Sequence, residues 1–310
     1  MAHNEDTRVK IPAILHLCRL GYKYISLKNA KWDIETNIFT DIFFDSVAKI
    51  NSGIEKEDIQ KVYDKISLIL DNEDLGKEFY GMLLSNEIKL IDFENFANNS
   101  FHVVTELTCK NGDDEFRPDI TLLINGMPLA FIEVKKPNNK EGILAERKRI
   151  NDRFQNKKFR KFINLTQMLV FSNNMDYDTE SIGQIEGAFY SSTSSHKAIF
   201  NAFKEDKSVE VLNIEKLLKP ENEEVENFVL KDNNLNVIKH NPEFATNKDP
   251  YSPTNKILTS LFSPERFAMF LRYGIAYVKE HDGLQKHIMR YPQFFATKAI
   301  ENKLEEGIKK

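Results

Sequence analysis

The sequence predicts an α/β fold, a mixed sheet flanked by helices and followed by a small helical segment. Three observations carry that expectation. Asn125-Gly126 joins two apolar, strand-forming runs, Ile120 to Ile124 and Met127 to Val134, which is the strongest short-range signal for a two-residue β-hairpin. Segments with helical spacing precede and follow that hairpin. The order of elements, helices then three successive strands then a helix and another strand, is that of a mixed sheet covered by helices.

Taken in order, Asp6 to Leu20 has helical spacing, with Val9, Ile14, Leu15 and Cys18 apolar, Gly21 placed to stop it and Pro12 placed to kink it. Amphipathic helices are expected over about Ile34 to Ile50, Lys56 to Leu70 and Asp74 to Leu84. Phe101 to Cys109 is β-branched and aromatic, so it reads as a strand, followed by the hairpin. Ala145 to Phe162 reads as a basic helix and Thr166 to Ser172 as a further strand, with short strands at Ala188 to Tyr190 and Val209 to Leu212. From Glu221 the chain turns acidic and Asn-rich, and Pro242, Pro250 and Pro253 punctuate its end. The expected organisation is therefore a domain over 1–220, a linker over 221–250 and a helical segment over 251–310, with helices near Asn255 to Leu261, Pro264 to Glu280 and from Pro292 onward.

Composition narrows the class. The chain has 310 residues, 41% hydrophobic and 29% charged, a globular profile with enough apolar material for a sizeable core. No apolar run approaches a membrane span and the N-terminus lacks a signal-peptide pattern, so the expected location is the cytoplasm, with no membrane partner. Cys18 and Cys109 are too few for a disulfide framework or a cysteine metal cluster. The net charge of −4 argues against a uniformly basic nucleic-acid binder. Between Lys135 and Lys161, however, eleven Lys or Arg face three acids, Glu141, Glu146 and Asp152. A basic helix of that kind suits a phosphate backbone, although a charge run alone is more often a solvated face.

The hairpin also carries chemistry. Its turn returns Asp119 to the side of Glu133, and strand alternation projects Glu133 and Lys135 together while Ile132 and Val134 point into the core. Two carboxylates and an ammonium then share one face. Hard oxygen ligands suit Mg²⁺, which keeps several waters and takes substrate phosphate oxygens, so Asp119 and Glu133 leave reactive positions open. Lys135 could orient the attacking water, and the main-chain carbonyl of Val134 is a further candidate ligand. A plain surface pair of Glu133 with Lys135 would account for those charges but not for Asp119.

The residues Arg117-Pro118-Asp119 through Asn125-Gly126-Met127-Pro128-Leu129, then Ile132-Glu133-Val134-Lys135-Lys136-Pro137, and the strand Leu169-Val170-Phe171-Ser172-Asn173 together resemble the N-terminal nuclease region of the restriction subunit of type I restriction-modification enzymes. Weaker likeness lies in Glu5-Asp6-Thr7-Arg8, Ser263-Pro264-Glu265-Arg266 and Arg290-Tyr291-Pro292-Gln293-Phe294-Phe295. The resemblance implies a restriction-endonuclease-like PD-(D/E)xK core, with Asp119 and Glu133 as metal ligands and Lys135 as the catalytic lysine. It also implies an acid on the first helix completing the site, Glu5 or Asp6, of which Glu5 is preferred.

The family's Gln-x-x-x-Tyr pair is absent from the helix after Lys135, so its DNA or metal-site role is expected to pass to residues such as Arg149 or Arg153, and Lys136, Arg147, Arg149 and Arg153 are the expected DNA contacts. The implied activity is Mg²⁺-dependent cleavage of duplex DNA without sequence recognition of its own, in a complex with methylation and specificity subunits. Family members continue into an ATP-driven motor. This chain carries no Gly-x₄-Gly-Lys-Ser/Thr loop, so ATP is expected only in a longer protein, with the final helical segment leading toward that motor. The alternative is a catalytically silent DNA-binding or subunit-docking module with a degenerate nuclease site.

Overall fold

The computed structural model describes residues 5–135, 142–176, 187–193, 198–281 and 283–308. A five-residue π-helical turn, Asp6–Lys10, opens into α1 (Ile11–Arg19). Pro12 explains the wide turn, because in an α-helix its ring would strike the carbonyl four residues back and it has no N–H to donate. The short strand β1 (Lys23–Tyr24) then precedes α2 (Thr40–Ile50), α3 (Lys56–Ile69) and α4 (Lys77–Leu83). Helix α2 begins six residues later than its apolar spacing predicts. Asp33 holds the preceding turn, accepting from the Glu35 N–H at 2.8 Å through its side chain, and Asn37 sits at φ 60°.

Strand β2 (Phe101–Thr105) ends earlier than expected, and a small hairpin, β3 (Cys109–Asn111) and β4 (Asp114–Phe116), intervenes before β5 (Ile120–Ile124) and β6 (Met127–Val134). The basic segment is two helices, α5 (Gly142–Gln155) and α6 (Arg160–Leu165). Asn156 divides them, its side chain accepting from the Lys158 N–H at 3.0 Å to start a new turn. Strands β7 (Met168–Ser172), β8 (Ala188–Ser191) and β9 (Asn201–Ala202) follow. No strand forms over 209–212, where the Val209 N–H instead closes a turn on the Asp206 carbonyl at 3.2 Å.

The stretch 221–250 differs from the expected polar linker. After α7 (Ile214–Leu217) it forms α8 (Glu223–Asp232) and α9 (Pro242–Asn247), and it buries Val229, Leu230, Ile238 and Phe244 in the main core. Asn222 and Asn241 cap those helices with their side chains, so the Asn-rich composition serves helix starts. Helices α10 (Pro253–Phe262) and α11 (Pro264–Tyr273) follow. The helix expected to run to Glu280 stops at Gly274, and Ile275 onward forms a hairpin, β10 (Ile275–Glu280) and β11 (Gly283–Ile288), before α12 (Tyr291–Ile308). Tyr277, Val278 and Ile275 are β-formers that overrode the helical spacing.

Seven strands make one sheet in the order β1-β2-β5-β6-β7-β8-β9, with β1–β2 and β6–β7 parallel and the other neighbours antiparallel. Every residue of β5, β6 and β7 is buried, so both faces of the sheet centre are covered. On one face Ile120, Leu122, Ala130, Ile132, Val134 and Val170 pack with α1, α10 and α11. On the other, Leu123, Phe131 and Leu169 pack with Ile150 of α5, Phe162 of α6 and Phe116. Asn125 (φ 50°) and Gly126 (φ 79°) form the expected two-residue turn, and their two positive φ angles make it type I′.

One irregularity in β6 matters for the site. Ile124 and Leu123 pair with Met127 and Pro128, whereas Leu122 and Ile120 pair with Ala130 and Ile132, so Leu129 is an extra residue in a β-bulge. Leu129 and Ala130 accordingly pack into the same core although they are successive residues.

A Cβ at Gly126 would lie 2.6 Å from the Phe39 carbonyl oxygen and 2.8 Å from the Phe43 amide nitrogen, at a positive φ that L residues resist. Gly126→Ala is therefore expected to destabilise the chain by roughly 2 kcal/mol or more, read by chemical denaturation. Lys286 of β11 is 5% exposed, donates to the Thr166 carbonyl at 3.1 Å and the Thr193 hydroxyl at 3.2 Å, and burial pushes its pKa from 10.5 down to about 7. Between those two pH values the unfolded chain binds a proton at this lysine that the folded chain does not. Stability relative to Lys286→Met should thus rise as pH increases from 7 toward 10.5, by up to about 1.4 kcal/mol per pH unit; a flat difference in denaturation experiments over that range would contradict the burial of this charge.

Candidate metal and phosphodiester site

The bulged hairpin sets the site. Ile120 faces Ile132, so Asp119, one residue earlier, stands beside Glu133 at the open end of the hairpin. The Val134 N–H donates to Asp119 Oδ2 at 2.8 Å, fixing that carboxylate against β6. Lys135 is held from the other side, its N–H donating to the Ser172 carbonyl of β7 at 2.8 Å. The Lys135 ammonium then turns back to donate to the Val134 carbonyl at 2.8 Å, 3.6 Å from Glu5 Oε1 and 3.9 Å from Asp119 Oδ2. Three oxygen groups from two distant parts of the chain thus converge on one cation.

The π-helical turn brings Glu5 there. Its neighbour Asp6 is engaged elsewhere, 2.5 Å from the Lys10 ammonium, which also donates to Glu106 at 2.8 Å. Burial works against the charge on Lys10, and the hydrogen bonds to Asp6 and Glu106 outweigh it and raise its pKa. The Glu5 carboxyl is also shifted upward, chiefly by burial, with Asp119 and Asp6 adding to the effect and Lys135 opposing it. Glu106, at φ 55°, donates its N–H to the Asp119 carbonyl at 3.2 Å, and Arg117 lies 3.7 Å from its side chain. Nothing in the sequence spacing singles out Lys10, Glu106 or the Leu129 bulge.

Glu133 lies apart from that cluster. Its side chain is 4% exposed, and Oε1 lies 3.1 Å from Arg153 Nη1 on α5. Arg153, expected as a DNA contact, is directed into the site. Arg149 is exposed and Arg147 half-buried, its Nε buried without a hydrogen-bond partner. Lys136 lies outside the described residues. The end of the basic segment is neutralised by acids that are remote in sequence: Lys157 and Arg160 pair with Glu73, Lys158 with Asp114, and Lys161 with Glu35 and Asp71. The local excess of positive charge is therefore smaller in space than along the chain.

Among the described residues no group of three or more His, Cys, Asp or Glu side chains stands together as a metal cluster. The donor set around Lys135 is nonetheless the chemistry a hard divalent ion takes: two carboxylates, Glu5 and Asp119, and one main-chain carbonyl, already gathered about a single positive charge. With Glu133 adjacent in register, these residues fit a magnesium-type ion.

The sequence model of the family described as type I restriction enzyme R protein N terminus matches residues 2–179, a span that contains Glu5, Asp119, Glu133, Lys135 and all of α5. The chain belongs to that family. Within it, the chain is 28% identical over 325 aligned residues to the type I restriction enzyme MjaIXP endonuclease subunit of Methanocaldococcus jannaschii, covering 95% of this chain and 27% of that protein. It is 37% identical to the MjaVIIIP endonuclease subunit of the same organism over 28% of this chain and 8% of the relative. It is 27% identical to the HindI endonuclease subunit of Haemophilus influenzae over 36% of this chain and 12% of the relative. The chain thus spans about a quarter of the length of the long relative it matches nearly throughout. Among the described residues no helix is long and apolar enough to cross a membrane.

Proposed function

We propose that this chain is the Mg²⁺-dependent endonuclease domain of a type I restriction enzyme R subunit, cutting duplex DNA without reading its sequence. The convergence of Glu5, Asp119 and the Val134 carbonyl on the Lys135 ammonium carries this reading. Glu5, Asp119, Glu133 and the Val134 carbonyl would hold the metal, a PD-(D/E)xK arrangement. When bound, a divalent ion of this kind polarises a phosphoryl oxygen and lowers the pKa of a bound water.

The protein groups do the positioning. Asp119 is oriented by the Val134 N–H, and Lys135, tethered by its own main chain to β7, is placed to hold an attacking water by its ammonium and to balance the gathering negative charge. Arg147 and Arg149 of α5, with Lys136, would take backbone phosphates, contacts that carry no base information. The methylation and specificity subunits supply sequence recognition, and ATP serves only the motor of the longer subunit. The expected compartment is the cytoplasm, where the complex meets DNA.

The pairing of Glu133 with Arg153 favours a second reading, a silent DNA-binding or docking module. Cleavage separates the two. In the assembled restriction complex, Asp119→Ala, Glu133→Ala and Lys135→Ala should each lower DNA cleavage by at least about 100-fold while ATP-driven translocation continues; cleavage at the wild-type rate in any of them would remove that residue from the chemistry. The two N-terminal acids make a sharper contrast. Glu5→Gln should weaken Mn²⁺ binding by about 10-fold or more, whereas Asp6→Asn, whose partner is Lys10, should leave it nearly unchanged, as measured by calorimetric titration.

A further inference from the structure

Arg153 turns its charge inward, toward an aromatic ring and a buried carboxylate. Its guanidinium carbon sits 4.1 Å from the centroid of the Phe116 ring, and Phe116 is itself buried, edge-on to Phe131 at 5.5 Å and to Phe162 at 5.6 Å. The guanidinium is held between that aromatic wall and the buried Glu133 carboxylate, 3.1 Å away. A phosphate-gripping arginine would present its fork to solvent, and only 20% of the Arg153 side chain is exposed. Phe131 and Glu133 lie on the same face of β6, so the ring stack and the ion pair are one construction. Among the described contacts, Lys135 lies beside Asp119 and Arg153 on Glu133.

Resting on the metal-dependent nuclease reading above, we propose that Arg153 is a positioning residue that competes with the divalent cation for Glu133. A carboxylate this buried needs a compensating charge to stay ionised. Arg153 supplies one and aims the carboxylate along β6, and a cation that takes Glu133 as a ligand must displace the guanidinium. The Phe116 ring gives that guanidinium a fixed seat, so the competition is set by the fold.

Mn²⁺ titrated calorimetrically into the full chain, together with thermal unfolding with and without Mn²⁺, tests this. Arg153→Met should bind Mn²⁺ about tenfold more tightly than the wild type. Its unfolding midpoint, depressed without the ion, should rise further on Mn²⁺ addition than the wild-type midpoint does. Arg153→Lys, which keeps a charge but loses the planar fork, should fall between the two. Equal or weaker Mn²⁺ binding by Arg153→Met overturns the competition, because a purely supporting arginine would lower metal affinity when removed. If Arg153→Met does not fold, Arg153→Lys and Phe116→Leu decide by the same criterion, and unchanged or weakened affinity in both overturns it. Wild-type protein that binds no Mn²⁺, or an Asp119→Ala variant that binds it as well as the wild type, would instead refute the nuclease reading on which the competition depends.

Discussion

The extra residue at Leu129 is the constraint on which the site depends. Without that bulge the pairing set by the Asn125-Gly126 turn would continue unchanged, and Asp119 would face Ile132, a core residue. With it, Asp119 stands beside Glu133, and its carboxylate accepts from the Val134 N–H. A shift of one residue changes which side chains share a face, so the bulge decides whether Asp119 lies opposite Glu133 or opposite a core residue. Pro128 sits next to the bulge and donates no N–H, and the Leu129 carbonyl finds its partner in the Gln167 N–H at 2.8 Å. The closed end of the hairpin is anchored just as firmly. The Asn125 side chain donates to the Leu90 carbonyl and accepts from the Ser100 N–H, both at 2.8 Å, and the Gly126 carbonyl accepts from the Phe39 N–H at 2.9 Å.

Charge in so apolar a sheet is tolerated because each acid is answered. Glu133 has Arg153, Asp119 has a backbone N–H and Lys135 nearby, and Asp6 and Glu106 share Lys10. The helices that supply these partners are themselves fixed by the two cores on either face of the sheet. Phe131 and Phe162 bind α6 to one face, while α1 packs through Ile11, Ile14 and Leu17 on the other, carrying the π-helical turn and Glu5 with it. The site is thus a partly buried cluster of charges at the open end of the hairpin, made of groups that the packed layers cannot bury unpaired.

Much of this was legible in the sequence because it rests on local patterns. Asn-Gly between strand-forming runs marks the turn, and two-residue alternation puts Ile132 and Val134 in the core. What escaped was non-local. The bulge leaves no mark beyond Pro128, the carboxylate that Arg153 meets is 20 residues away in sequence, and the basic run could not reveal that Glu35, Glu73 and Asp114 neutralise its end. The Asn-rich stretch after Glu221 read as a linker, since Asn serves loops and helix caps alike and only the burial of Val229, Leu230 and Phe244 separates the two. Helical spacing through Ile275 to Glu280 likewise gave way to a hairpin once Gly274 ended α11.

Anomalous diffraction from crystals soaked in Mn²⁺ would locate the metal among these oxygens. A single strong peak is expected, bounded by Glu5, Asp119, Glu133 and the Val134 carbonyl, with the Lys135 ammonium moved off those oxygens. Ordered protein with no peak there, or a peak coordinated by other residues, would contradict it.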